Sequence, residues 1–365
     1  GREWAELMKE LIDADFTPKT GINVKMNVLP SSQLEAGSIN VLMLSIISGK
    51  APDVAIGVSS QSPVEFAIRE AVLDLTQFED FPTVKERFLP GIITPYEYLG
   101  GVYALPETMN FTVLFYRKDI MSELGLPIPE TWDELYNYVL PVLYQNHMEF
   151  SPPMVNTGNP MEGYAAFLYQ HGGEFYTQDR MKSALDTPEA YRAFKEFTEL
   201  FTNYGIPVEA NFFNRMRTGV MPMGIGDFSL YIKLSVAAPE LLGRWGIAPI
   251  PGHRREDGTI DRSTMSPGAQ AIMIMSQTEM PEESWEFVKW WTSAEVQADF
   301  GKEIEALMGP QARWNTANLE AFKQLPWHRD DIKVIEAQWP WIKEPPVVLG
   351  GYFTSRHIKN AYTRV

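Results

Sequence analysis

The sequence predicts an α/β protein in which helices and strands alternate and the sheets are mixed, mostly parallel, and flanked by helices. Two observations carry this. The 365-residue length exceeds one ordinary core, so the chain forms two lobes or one large α/β unit. Along the chain, apolar spacing switches repeatedly between the helical period and the strand period, with cap and turn residues at the switches.

The elements follow in order. Trp4, Leu7, Met8, Leu11 and Ile12 repeat at helical spacing. After Thr20-Gly21, Val24, Met26 and Val28 alternate with Asn23, Lys25 and Asn27, a strand pattern. Pro30 and the serines after it interrupt; a second helix runs to about Ser48, with Gly49 placed to end it. Val54-Ala55-Ile56 is a short strand, and Val64 to Val72 a helix. Thr112 to Tyr116, rich in β-branched and aromatic residues, reads as a buried strand. Thr131 and Glu134 have capping-box spacing, and Thr187-Pro188 opens another helix. Met221 to Ile225 and Ala269 to Met275 are strand candidates, and Pro281 to Met308 is helical with a break near Ser293. There is no internal repeat and no low-complexity linker.

The formal net charge of −16 repels phosphate backbones, so nucleic acid is an unsuitable partner. The absence of cysteine removes disulfides, thiolate metal sites and cysteine nucleophiles together. No apolar run approaches the roughly 20 residues of a membrane helix. The opening Gly-Arg-Glu-Trp reads as a mature or excised start, with any secretion signal or lipid anchor outside this chain.

Tests for catalysis return little. Gly49-Lys50 is not a phosphate loop, and Gly224-Ile225-Gly226 meets Ser229 where a dinucleotide fingerprint needs Gly. Ser59 lacks the closing Gly of a nucleophile elbow. His147, His171, His253, His328 and His357 show no zinc-ligand spacing. The expectation is a non-enzyme with no catalytic residue, no metal and no cofactor. A glycosidase, whose two carboxylates come from distant parts of a chain, stays open as an alternative.

Four stretches together resemble the family-1 extracellular solute-binding proteins of ATP-binding-cassette importers, the maltose-binding-protein-like family. They are Ser48 to Val54 (SGKAPDV); Gly101 to Pro106 with Leu114 to Asp119 and Pro129 to Leu135; Gln170-His171-Gly172-Gly173; and Ser284 to Trp291 followed by Gln297. The tail, Gly350 to Arg356 with Asn360-Ala361, resembles the module as found in large Gram-positive surface proteins. The resemblance implies a two-lobed periplasmic-binding-protein-like clamp with hinge crossings. Its lobes are residues 1–108 plus 271–308, and 109–270 plus 309–365, with the ligand cleft between them. It also implies a monomeric receptor at the cell surface that captures a carbohydrate, an oligosaccharide in particular, by lobe closure and passes it to membrane permease subunits. The chain departs from the family pattern in two places. Its first helix begins almost at once, and Gly57 to Ser60 stand where many sugar binders carry an aromatic or charged residue. Two other readings of the fold remain: a non-sugar solute, or a surface-anchored polysaccharide-binding module without transport.

A sugar offers hydroxyls and C–H faces, so its site needs mixed donors and acceptors beside flat aromatic surfaces. Ser59 and Ser60 follow the C-terminal end of a strand, where open α/β sheets bind ligands. By the resemblance, Glu107 and Asn110 lie at the first lobe crossing, and Gly268, within Ser266 to Gln270, at another. Asp227, Phe228 and Tyr231 follow the strand ending at Ile225 and line the second lobe's side of the cleft by resemblance; Asp227 equally fits a helix cap. Tyr352 falls where the family often presents a stacking aromatic, with Arg356 a structural neighbour. Trp285, Trp290 and Trp291 have the spacing of a helix's core face.

Overall fold

The computed structural model describes residues 1–29, 39–153, 160–265 and 268–365. Ser266 and Pro267, named above as flanking a candidate contact, lie outside the described residues, as do Pro30 and the serines after it. The chain forms two compact units. One comprises Gly1–Asn110 with Gly268–Pro326, the other Phe111–Pro267 with Trp327–Val365.

The first unit is built on a three-stranded sheet in the order Val54–Ser59, Gln270–Ile274, Leu105–Pro106. Both pairings are antiparallel. The register of the first slips between Ala55 and Val58, where Gly57 adopts a positive φ of 68°. That bulge is why the position holds glycine. The opening helix, Arg2–Leu11, continues through one π-turn to Thr20, where Gly21 caps it in the left-handed region. It is held by rings: Trp4 lies 5.2 Å from Trp314 and 5.6 Å from Phe300. Phe16 packs on Phe287 and Trp290. Helices Pro281–Trp291 and Ala294–Met308 follow, separated where Ser293 caps the second by accepting from the Val296 N–H. Trp285 and Trp291 are core, as their spacing implies; Trp285 stacks on Phe78 at 4.8 Å with the rings 4° from parallel.

Residues 309–326 correct the assignment made from the sequence, which gave them to the second lobe. They belong to the first unit. Trp314 buries its ring against Phe300 and donates Nε1–H to Gln297 at 2.7 Å, and Asn315 accepts from the Met109 N–H. The sequence pattern breaks at Met308 because a helix ends there, not because the chain leaves the unit.

The second unit carries a four-stranded sheet in the order Phe150–Ser151, Met223–Asp227, Thr112–Arg117, Trp245–Ala248. Thr112–Arg117 is central and almost wholly buried, as its apolar composition requires. The core includes Trp132, Tyr164, Phe167, Phe175 and Phe197. Two sequence-predicted helix starts hold in detail. Thr131 accepts from the Glu134 N–H at 3.1 Å, and Thr187 caps Pro188–Thr202 through the Ala190 N–H. The reciprocal arm of the box reaches one residue further back than usual, Glu134 accepting from the Glu130 N–H.

The sheets are mixed, but the parallel share is smaller than expected. Among the described ladders between named strands, only Phe150–Ser151 with Met223–Gly224 runs parallel. The reason is the connectivity. Gln270–Ile274 re-enters the first unit from the second, so it arrives beside Val54–Ser59 in the opposite direction. The strand expected over Val24 to Val28 also does not form. The segment alternates between exposed and half-buried residues without a described ladder partner.

Candidate functional site

In the second unit the site grows from the central strand pair. Thr112 and Asp227 are direct partners at the end of that pair, one residue from where the chain enters the unit at Phe111. Asp227 ends its strand and begins the helix Phe228–Ala237, its Oδ1 accepting from the Leu230 N–H at 3.2 Å. The carboxylate is therefore fixed in direction by the helix it caps.

Aromatic rings surround this corner. Phe111 is buried and packs edge-on against Phe228, Tyr231 and Trp327 with centroids 5.8, 6.1 and 6.0 Å away. Trp327 stands 5.9 Å from Phe228 and 5.2 Å from Tyr231, and Trp245 extends the group through Tyr231 at 5.3 Å. Phe111 and Tyr231 form the buried base, while Phe228 and Trp327 keep part of their surface exposed. The Tyr231 hydroxyl donates to Asp331 Oδ2 at 2.5 Å, tying the base to the helix Arg329–Gln338 just after Trp327. Chemically this is a carboxylate beside partly open aromatic surfaces on a rigid, buried footing. It can accept hydroxyl hydrogens and offer flat faces to C–H groups.

In the first unit the strand ends gather a separate polar group. Ser59 is the direct partner of Gln270, and both Ser59 and Ser60 are half-buried. Gly268 has a φ of 92°, and the Asn110 amide nitrogen lies 3.8 Å from where a Cβ on it would stand. Glycine at 268 thus answers to its conformation, since a Cβ there would meet Asn110 only at ordinary contact distance.

Residues 2–298 match the family model described as bacterial extracellular solute-binding protein. The chain belongs to the bacterial extracellular solute-binding proteins. Among the relatives of this solute-binding protein is the arabinooligosaccharide-binding protein of Halalkalibacterium halodurans, 24% identical over 84% of this chain and 68% of that one. The fold is that of the sugar-binding protein MalE from Xanthomonas citri, with a TM-score of 0.76, 19% identity and coverage of 98% of this chain and 90% of that one. A cyclic α-maltosyl-1,6-maltose binding protein from Arthrobacter globiformis gives a TM-score of 0.77 at 17% identity, covering 99% and 90%.

The residues singled out from the sequence of this solute-binding protein divide into four groups. Asp227, Phe228 and Tyr231 come together as one site, and Ser59, Asn110 and Gly268 lie at the strand ends of the other unit, next to Ser60. Tyr352 stands apart: it is 73% exposed on the helix Gly351–Thr363, its ring against Phe353 at 5.9 Å. Glu107 corrects its assignment as a hydroxyl partner. It is only 4% exposed; one oxygen accepts from the bulged Gly57 N–H at 2.6 Å and the other from Trp291 Nε1–H at 2.7 Å. Its carboxylate holds the bulge and the helix Pro281–Trp291 together, and burial pushes it up to about 7 despite both hydrogen bonds. Sequence reasoning missed Phe111, Trp245 and Trp327. Trp327 carried one signal, a tryptophan directly after Pro326 in a stretch otherwise polar.

Proposed function

We propose that this chain is the solute-capturing receptor of an ATP-binding-cassette importer and that its solute is an oligosaccharide. The observation that carries the reading is the corner of the second unit where Asp227 stands beside Phe228 and Trp327. Stacking on the aromatic surfaces supplies apolar contact area to pyranose or furanose faces, and the carboxylate accepts their hydroxyls. Membership of the solute-binding family supports the receptor role. The names of relatives, an arabinooligosaccharide-binding protein and a multiple sugar-binding protein of Streptococcus mutans, support the carbohydrate. A Deinococcus radiodurans relative named as a probable ABC transporter-binding protein supports delivery to a permease. In this reading the protein acts as a monomer held at the cell surface, with Ser59, Ser60, Asn110 and Gly268 as further contacts and Tyr352 as a stacking surface. Capture is by closure, which solute drives only to the extent that it prefers the closed form.

The test is a thermal-shift screen of purified protein against mono- and oligosaccharides, amino acids, polyamines and polyol phosphates. A ligand at about 100 times its dissociation constant stabilises the native state by about 2.7 kcal/mol. A midpoint raised by one saccharide class alone is the expected result. A rise with a polyamine or amino acid and none with any saccharide overturns the carbohydrate assignment. An unchanged radius of gyration on saturation overturns closure.

A further inference from the structure

His171, Glu196 and His253 lie in the second unit and take no part in the corner described above. His171 follows the helix Pro160–Gln170, Glu196 sits within Pro188–Thr202, and His253 opens the strand His253–Arg254. The two imidazole rings are 4.7 Å apart. His171 Nε2 lies 3.0 Å from Glu196 Oε2, and His253 Nε2 lies 2.7 Å from both carboxylate oxygens. One ligand atom from each of the three falls within 4.8 Å of the others.

The tautomer of His253 is fixed by its surroundings. Trp132 Nε1–H, which can only donate, points at Gln170 Oε1 at 3.1 Å. The Gln170 amide nitrogen donates to the Pro251 and Ser263 carbonyls, each at 3.2 Å. The amide therefore cannot be turned over, and its oxygen is the atom facing His253 Nδ1 at 2.7 Å. His253 Nδ1 must carry the proton. In the neutral ring the Nε2 lone pair then aims at an ionised carboxylate, an acceptor against an acceptor. Either a proton or a metal cation at that point resolves the conflict, and the second imidazole aimed at the same carboxylate from His171 supplies the further ligand that a metal requires. The arrangement is the one that metal-binding histidines use, with the far ring nitrogen donating to an oriented oxygen.

We infer that His171 Nε2, His253 Nε2 and Glu196 bind a divalent transition-metal cation of the zinc class, joining two helices and a hairpin of the second unit. Two imidazoles and a carboxylate suit zinc and its neighbours rather than magnesium or calcium. Tetrahedral zinc places its ligand atoms about 3.3 Å apart, so shifts below about 1 Å accommodate it. All three side chains keep some exposure, between 15 and 23%, which leaves access for the ion and for water as a fourth ligand. The role is structural, and the site goes beyond the solute reading and does not depend on it. Sequence spacing hides the site because the ligands are separated by 25 and 57 residues.

The experiment uses tag-free, chelator-treated protein titrated with zinc alone by calorimetry, without any saccharide. One equivalent is expected to bind with a dissociation constant of about 1 μM or tighter and to raise the unfolding midpoint by about 5 °C at saturation. Magnesium is expected to do neither. Glu196→Gln and His253→Ala are each expected to weaken zinc at least about 10-fold. Should a variant fail to fold, cobalt titrated into the wild-type protein gives an independent reading. A visible d–d band saturating at one equivalent supports the site. Absence of both the stoichiometric zinc heat and the cobalt band, or zinc binding unchanged in a folded His171→Ala, His253→Ala double variant, overturns it. The cluster is then an imidazolium–carboxylate pair and nothing more.

Discussion

Replacing Glu107 by Gln removes the one deeply buried carboxylate that holds the Gly57 bulge against Trp291. The wild-type group has a value of about 7 in the fold against an ordinary 4.5, burial being the cause. Below pH 4.5 it is protonated in both folded and unfolded chains, and its contribution to stability is fully present. As pH rises toward 7 the unfolded chain releases the proton and the folded one keeps it, so stability falls. Above about 7 the loss levels off, at about 3 kcal/mol. The glutamine variant has no such proton. It presents its amide N–H₂ toward one of the two donors, a mismatch that costs about 1–3 kcal/mol at every pH. The variant is thus expected to be about 1–3 kcal/mol less stable than wild type at pH 4.5 and as stable or more stable by pH 7.5, a relative shift of about 3 kcal/mol. Urea unfolding of both proteins at four pH values measures this, since every other carboxylate is common to the pair and cancels. Two parallel stability curves would refute the reasoning, because they would mean Glu107 titrates as an exposed glutamate does.

Three further outcomes are expected. Gly224→Ala puts a Cβ 2.8 Å from the Ser151 carbonyl oxygen and 2.9 Å from Phe212, at a buried strand position, and should cost about 3 kcal/mol in chemical denaturation. Arg117→Ala strips Asp119 of two hydrogen bonds, at 2.9 and 2.7 Å, and the Met216 carbonyl of a third, and is expected to lower stability by about 3 kcal/mol. Tyr231→Phe keeps the ring and loses the bond to Asp331, so it should cost about 1–2 kcal/mol in thermal unfolding and also weaken solute binding through Trp327.

Local chemistry was legible in the sequence wherever it decides a structure by itself. Thr131 and Thr187 cap the helices their positions announce, the break expected near Ser293 falls there, and Trp285 and Trp291 pack as their spacing requires. The buried strand over Thr112 to Tyr116 followed from composition alone. What was hidden depends on partners far along the chain. The direction of Gln270–Ile274 is set by a return from the other unit, and no local period records it. Residues 309–326 have no helical face long enough to show which core they join; Trp314 and Asn315 decide that through contacts with Phe300 and Met109. At the site, Asp227 and Phe228 were visible because they follow a recognisable strand. Trp327 was not, since 99 residues separate it from Phe228 and only the second entry of the chain into its unit brings the rings together. Glu107 misled for the opposite reason. A glutamate at a strand end looks available until the Gly57 bulge and Trp291 are seen to enclose it.

The most direct measurement is calorimetric titration of arabino- and malto-oligosaccharides into the wild-type protein, Trp327→Ala and Asp227→Ser. The serine keeps the helix cap and withdraws the carboxylate. Saturable binding of one saccharide series is expected in wild type. Both folded variants should lose at least about 10-fold in affinity, since a stacking aromatic or a charged acceptor is each worth about 1.4 kcal/mol or more. Undiminished saccharide binding in both folded variants would contradict the assignment of the site. No saccharide binding by the wild-type protein, with tight binding of a polyamine or amino acid, would contradict the assignment of the solute.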